Sequence, residues 1–397
     1  MSEGLTQDPP KIFRGSIPAM RGSLRERRPG TWELIAQLPR DPVTGRPRQT
    51  TRTVIGTKRV AQRALSALVS EIAAGEVSDS TITLDELIAR WLEVKSERLS
   101  PTTAAEYRRL AKVIVSPALG HVMIRRLTPR QLDNFYGALA RERGLSASSI
   151  HQVHAVIRGA LNQAVKWGWL KANPAVSASP PAIRRKEIVP PGIDRALLLL
   201  DRAEAHNAEF GTLLRVMAAT GARRGEACGM RWSDIDFAAR SLVIRRSIAV
   251  VAGSLVEKDT KTHAARRIAI DDETLRALSR HRESVEERAE ALDGALGPHA
   301  YVFSPDADGR TPTNPDRLTG RFRNLCDRLG ITGVRLHDLR HLHATQLLAA
   351  GVPVRTVSGR LGHANAATTL NVYAHFVEAS DRQAADVISG LLQRPTD

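Results

Sequence analysis

Six polar side chains, spread in order over the last 175 positions, constrain this chain more than any other feature: Arg223, Lys261, His337, Arg340, His363 and Tyr373. The stretches between them carry apolar residues at helical spacing and one short β-rich run. A mainly helical domain with a small antiparallel sheet must therefore bring the six together. Two guanidiniums, an ammonium, two imidazoles and a phenol suffice to break a phosphodiester through a covalent bond to the protein, with no metal.

The flanking residues sharpen the reading. In TGARRGE, residues 220–226, a glycine turn interrupts two apolar helices and can aim the Arg223 guanidinium into a cleft. In VRLHDLRHLHA, residues 334–344, His337 and Arg340 stand three apart at a helix start and project from one face. An apolar helix is expected to end at Gly351, followed by a second short helix, then Leu361-Gly362-His363, and finally TTLNVYAHF from Thr368. Tyr373 is one of four tyrosines, and Tyr107, Tyr136 and Tyr301 have no comparable cationic surroundings in sequence. Between these blocks, residues 258–270 read as a hairpin with a return strand at 267–270 and Lys261 at its tip; Lys258, three residues earlier, is the rival lysine.

Charge points to the partner. The formal net charge is +16, which suits a polyanion better than a small acidic substrate. Residues 1–184 carry 28 Lys/Arg against 15 Asp/Glu and residues 185–397 carry 30 against 27, so most of the excess lies in the first half. There, residues 21–55 alternate like strands around a turn at 41–45, and Thr57 caps a helix in which Val60, Leu65, Leu68 and Ile72 share a face. Arg25, Arg27, Arg28, Arg46, Arg48 and Arg52 lie on or beside those strands, a basic ribbon of the kind that enters a DNA groove. Residues 80–176 read as a helical bundle, with caps at Ser100-Pro101 and Thr128-Pro129 and a long helix opened by Ser146. Residues 177–191 turn to Ser, Pro, Ala and basic residues and read as a linker. Beyond it, 192–397 is mainly helical with a strand pair near 241–270 and a short strand at 301–303.

Other chemistries find little support. No glycine-rich phosphate loop precedes Lys-Ser/Thr, and no carboxylate cluster suits a two-metal nuclease. His337 and His341 make half a zinc site at most, so neither metal nor cofactor is expected. Cys228 and Cys326 sit in apolar helical patterns and read as buried, inert thiols. No apolar run approaches the ~18 residues of a membrane span, and a cytoplasmic protein is expected.

The blocks TGARRGE, HDLRH, LGH and TTLNVYAHF, in this order, resemble those of the tyrosine recombinases, and within them the phage-type integrases. The resemblance extends over nearly the whole chain. It implies a multidomain α+β protein: a three-strand-plus-helix arm-binding domain at 1–75, an all-α core-binding domain at 80–176, a linker, and a catalytic domain at 192–397. It further implies that Arg223, Lys261, His337, Arg340 and His363 surround a DNA phosphate which Tyr373 attacks, with Glu226 bracing the site. Site-specific integration or excision would proceed through a 3′-phosphotyrosyl intermediate. The partners implied are double-stranded DNA at core and arm sites, three further protomers in a tetramer on DNA, and accessory bending and excision factors. The apolar face of the last helix, with Ala384, Val387, Ile388, Leu391 and Leu392, is expected to pack on its own domain or dock on a neighbouring protomer. A non-catalytic DNA-binding regulator on the same fold and a type IB topoisomerase-like enzyme are the alternative readings.

Overall fold

The computed structural model describes residues 22–38, 40, 45–73, 82–184, 191–259 and 265–363, and in the final stretch 385–386, 388–389 and 392. The chain divides into two compact units, Met1–Arg184 and Arg185–Asp397. The boundary falls inside the linker read from composition.

The first unit holds two separate cores. Strands β1 (Gly22–Arg28), β2 (Thr31–Leu38) and β3 (Arg48–Ile55) form an antiparallel sheet with β2 in the middle. Helix α1 (Lys58–Ala73) covers one face. Alternation sends Leu34, Ala36 and Leu38 towards the helix, where Ala61, Leu68 and Ile72 meet them and Leu65 packs at the edge. Val60 departs from the expected helix face: it is 46% exposed, and Ala61 takes the buried position. A methyl fits that close helix–sheet approach, whereas the bulkier Val60 turns out beside Gly56.

The second core is an α-helical bundle. It comprises α2 (Leu84–Ser96), α3 (Pro101–Leu110), a π-helical run at Ala111–Gly120, α4 (Pro129–Arg141) and α5 (Ala147–Lys166). Thr83 and Thr128 head reciprocal capping boxes with Glu86 and Gln131, and Ser100 and Ser146 cap α3 and α5, so each orphan first turn has its acceptor. Along α5 the expected face is realised, with Ile150, Val153, Ile157 and Leu161 all fully buried. The chain after the bundle is held rather than loose. The Ser179 amide donates to Asp133 (2.6 Å), and His151 Nε2 bonds the Pro181 carbonyl (2.9 Å).

In the second unit, α6 (Ile193–His206) and α7 (Ala208–Thr220) are separated by Asn207, whose side chain caps α7. A short α8 (Arg224–Cys228) follows, then β4 (Ile235–Asp236), β5 (Ser241–Ile244), β6 (Arg246–Val251), β7 (Ser254–Asp259) and β8 (Arg266–Ala269). Helices α9 (Asp272–Glu290), α10 (Pro315–Arg328), α11 (Asp338–Ala349) and α12 (Val354–Leu361) complete the described fold. The core runs from Leu199 and Leu214 through Trp232, Leu242 and Ile268 to Phe303, Phe322 and Leu339. Both cysteines are buried within it, and burial pushes the Cys228 thiol up to about 12.

Two sequence expectations are corrected here. The strands on either side of Lys261 are not a hairpin: β7 pairs with β6, whereas β8 pairs with β5 in a β4-β5-β8 sheet. Residues 301–303 form no strand either, only an isolated bridge from Tyr301 to Arg231. Tyr301, Val302 and Phe303 are all buried, so this apolar run marks core position rather than a ladder. Among the described residues, no helix is long and apolar enough to cross a membrane.

Candidate active site

The site is built where three helix ends meet. Helix α7 stops at Gly221, a left-handed C-cap residue (φ 65°), and α12 stops the same way at Gly362 (φ 65°). Such ends present carbonyls that the helix cannot satisfy. Arg340, in the first turn of α11 and almost wholly buried, answers both: Nη1 donates to the Gly221 carbonyl and Nη2 to that of Leu361, each at 2.6 Å. Arg223 Nη2 donates to the next carbonyl, Gly362 (3.2 Å). Two guanidiniums thus grip successive carbonyls, and His363 is the next residue. A Cβ on Gly221 would approach Leu361 Cδ2 to 2.7 Å and His343 Cδ2 to 2.9 Å, so the turn demands glycine for space as well as for φ.

Beneath Arg223 lies Glu226, 1% exposed. Its Oε1 accepts from Arg223 Nη1 (2.7 Å) and Arg266 Nη1 (3.2 Å), and its Oε2 from Arg266 Nη2 (2.6 Å) and the Arg223 backbone amide (2.9 Å). Burial pushes the Glu226 carboxyl up, but the hydrogen bond and charge of Arg266, with Arg223, outweigh it and hold the group below its ordinary value. Arg266 also donates through Nε to the Arg360 carbonyl (2.8 Å).

His337 stands immediately before α11, its ring perpendicular to that of His341 at 4.9 Å. Burial depresses its pKa to about 4, helped by His341 and by the charges of Arg340 and Arg223. His363 is likewise pushed to about 4, by burial and then by Arg340, Arg223, Arg266 and His337. Arg223 and Arg340 bond adjacent carbonyls at the end of α12, His363 follows directly, His337 heads the helix that carries Arg340, and Glu226 is bonded to Arg223. Lys261 and Tyr373 lie outside the described residues. Lys258 lies within β7, opposite Ser247 in a regular ladder. Among the described residues, no three His, Cys, Asp or Glu side chains come together as a metal site would need.

Sequence reasoning overlooked Arg266, Arg360 and His343. His343 Nδ1 donates to the Ala218 carbonyl (2.9 Å), leaving Nε2 to accept from Arg360 Nε (3.4 Å). Arg360 continues to the Ala219 and Ala269 carbonyls (3.2 Å each). A signal for Arg266 existed: it is in phase with Ile268 and Ile270 in the β alternation, so a guanidinium sits on a core-facing row and demands a buried acceptor.

The basic arm residues separate by face. Arg25 pairs across from Glu33, and Arg27, at a bulge, bonds Glu33 (2.9 Å and 3.1 Å) on the face away from α1. Arg28 lies across from Thr31, and Arg46 is exposed in the approach to β3. Arg48 and Arg52 lie across from Leu38 and Leu34, on the helix side, where Arg52 bonds Glu71 of α1 (3.0 Å).

Comparison with known proteins finds relatives for both units. Residues 194–379 match the phage integrase family, and residues 83–140 match the phage integrase N-terminal SAM-like domain. The chain is 26% identical to the ICEBs1 integrase of Bacillus subtilis over 375 residues, covering 93% of this chain and all of the relative. It is 26% identical to a tyrosine recombinase XerC-like protein of Caldanaerobacter subterraneus, over 84% of this chain and 90% of that one. The Tn1549 transposon integrase in complex with a circular intermediate DNA has a similar fold, with a TM-score of 0.66 at 19% identity over 76% of this chain and 99% of that structure.

Three histidines of the second unit, His337, His343 and His363, carry a pH consequence. An unfolded imidazole takes up a proton below its ordinary 6.5, whereas folded His337, His343 and His363 resist until about 4. Their contribution to stability is therefore present above pH 6.5 and lost as pH falls towards 4. The thermal midpoint should drop across that window. His343→Asn, which keeps a donor for Ala218, should show a shallower drop; an equal slope would contradict the assignment.

Proposed function

The chain belongs to the phage integrase family of tyrosine recombinases, which cleave and rejoin DNA at specific sites, and on this premise we propose that Tyr373 is its nucleophile and that Arg223, Lys261, His337, Arg340 and His363 serve the scissile phosphate. The single observation that carries the assignment is that Arg223 and Arg340 meet on the last carbonyls of α12, immediately before His363, with His337 heading the helix that carries Arg340. These residues come from the start of α8, the start of α11 and the turn after α12, so tertiary packing rather than nearness in sequence brings them together.

A phenol with a pKa near 10 is a weak nucleophile at neutral pH. Neighbouring guanidiniums favour the phenolate, and a ring held neutral, as His337 and His363 are, can accept the proton as the oxygen attacks phosphorus. Negative charge then spreads over the non-bridging oxygens. Planar, forked donors meet two oxygens at once, which is the part assigned to Arg223 and Arg340. The 3′-phosphotyrosyl bond forms as the bond to the 5′ oxygen breaks. That oxygen takes a proton from Lys261, since Lys258 is fixed in the β6–β7 ladder. The 5′ hydroxyl of a second strand next attacks phosphorus, releases the phenol and rejoins the DNA. Energy is conserved in the phosphotyrosine, so no nucleotide is consumed.

The reading extends to DNA handling. The helical bundle and second unit take core-site DNA, and the open face of the N-terminal sheet takes arm-site DNA through Arg25 and Arg27, with Arg28 and Arg46 at its margins. The protein acts as a homotetramer on DNA, with accessory bending and excision factors setting direction. In the final stretch Ile388 and Leu392 are 55% and 76% exposed, which supports a helix that docks on a neighbouring protomer.

Incubated with a nicked attachment-site substrate, the wild-type protein should give a denaturation-resistant adduct. Tyr373→Phe should bind the same DNA and give none; an adduct from that variant would reassign the nucleophile. Arg340→Lys keeps the charge but loses the fork, and should cleave roughly 10²–10³-fold more slowly. Near-normal cleavage would argue against a forked clamp. In the arm domain, Arg25→Ala should reduce the slope of log affinity against log salt by about one, and Arg52→Ala should leave it unchanged. Equal slopes in the two variants would remove the distinction between the faces.

A further inference from the structure

We propose that Arg266 is a positioning residue for the cleavage reaction: through the shared Glu226 carboxylate it sets the Arg223 guanidinium, and through the Arg360 carbonyl it sets the turn that carries His363. The inference rests on the preceding reading of Arg223 and His363, and adds a residue that acts through Glu226 and the α12 turn rather than on the phosphate itself.

Three observations converge. First, Arg266 grips Glu226 with both η-nitrogens, at 3.2 Å and 2.6 Å, while Arg223 holds the same carboxylate at 2.7 Å and through its backbone amide. The carboxylate is nine-tenths and more buried, so its orientation decides where the Arg223 fork points. Second, Arg266 Nε donates to the Arg360 carbonyl, three residues before His363, and Arg223 closes the ring by donating to Gly362. Third, a Cβ built on Gly362 would come within 2.8 Å of Arg266 Nη1 and 3.1 Å of its Cζ. The guanidinium is thus pressed against the turn itself, and a single side chain contacts both the α8 and α12 sides of the site.

The arrangement explains why an arginine is needed rather than any cation. The two η-nitrogens are used on Glu226 and Nε on the carbonyl, a planar set of three donors that an ammonium on a flexible stem does not reproduce. Removing the guanidinium leaves Glu226 drawing on Arg223 alone, which pulls that fork towards the carboxylate and away from a phosphate.

The test uses the full chain on a nicked substrate at saturating DNA, comparing an ordinary scissile phosphate with a methylphosphonate. The methylphosphonate lacks the charged non-bridging oxygen that Arg223 is proposed to neutralise. Arg266→Lys should cleave the phosphate roughly tenfold or more slowly, less than the loss of a direct donor, at unchanged DNA affinity. The deficit should shrink on the methylphosphonate. An equal deficit on both substrates would make Arg266 merely structural, and wild-type rates would overturn the proposal outright. Because truncation of Arg266 strands a buried carboxylate, Glu226→Gln combined with Arg266→Gln serves as the second variant. The pair should cost less than the product of the two single losses, because the Glu226 route is common to both, whereas fully multiplicative losses would mean independent roles. A wild-type control that forms no adduct would instead defeat the underlying reading of Tyr373, a result separate from all of these.

Discussion

The candidate site depends on the buried Glu226 carboxylate. Glu226 is nearly inaccessible, and an isolated carboxylate in such a place would pick up a proton or unfold its surroundings. Two guanidiniums and a backbone amide make it tolerable, and in return it fixes both guanidiniums. Removing one partner of such a pair typically costs about 3–5 kcal/mol, because the other charge is left behind. The same constraint aligns the site, since Arg223 has little freedom once its carboxylate is held from behind. Rigid placement of donors before the substrate arrives is what makes electrostatic stabilisation effective at a phosphate.

The ends of α7 and α12 supply the second element. Helix termini expose carbonyls carrying partial negative charge, and cations are favoured there. Arg340 satisfies one carbonyl from each end, so a single buried residue welds the two helices at the point where His363 leaves α12. Both ends terminate in a left-handed glycine, one in the TGA block and one in LGH. The small cluster of Ala344, Val357 and Leu361 then seats α12 against α11. Burial first, and then the neighbouring guanidiniums, keep His337 and His363 neutral here, and neutrality is what lets them take a proton.

Much of this was legible in the sequence, and the gaps have physical causes. Caps at Ser100, Thr128 and Ser146 and the apolar row of α5 could be read directly, because capping and periodicity are local. The glycine turn before Arg223 and the step from His337 to Arg340 were legible for the same reason. Strand pairing was not. The residues around Lys261 alternate like a hairpin, yet their partners are β5 and β6, and alternation encodes a face but not a partner. Arg266 was hidden because two adjacent arginines read as surface charge, and only their phase relative to Ile268 separates the buried one from the exposed one. The arm arginines were grouped by proximity in sequence, whereas the β2–β3 register sends Arg48 and Arg52 to the helix side. Lys261 and Tyr373 rest on sequence blocks alone, since both lie outside the described residues.

The central claim is that a preorganised cluster around Glu226 receives one phosphate within reach of Tyr373. Its most direct measurement is a structure of the wild-type chain with cleaved attachment-site DNA and vanadate in place of the scissile phosphate. The account predicts Tyr373 Oη bonded to vanadium, with Arg223, Arg340, His337 and His363 within hydrogen-bond distance of its oxygens and Glu226 still between Arg223 and Arg266. A vanadate bound by a different side chain, or an Arg223 swung away from Glu226 to reach it, would contradict the account.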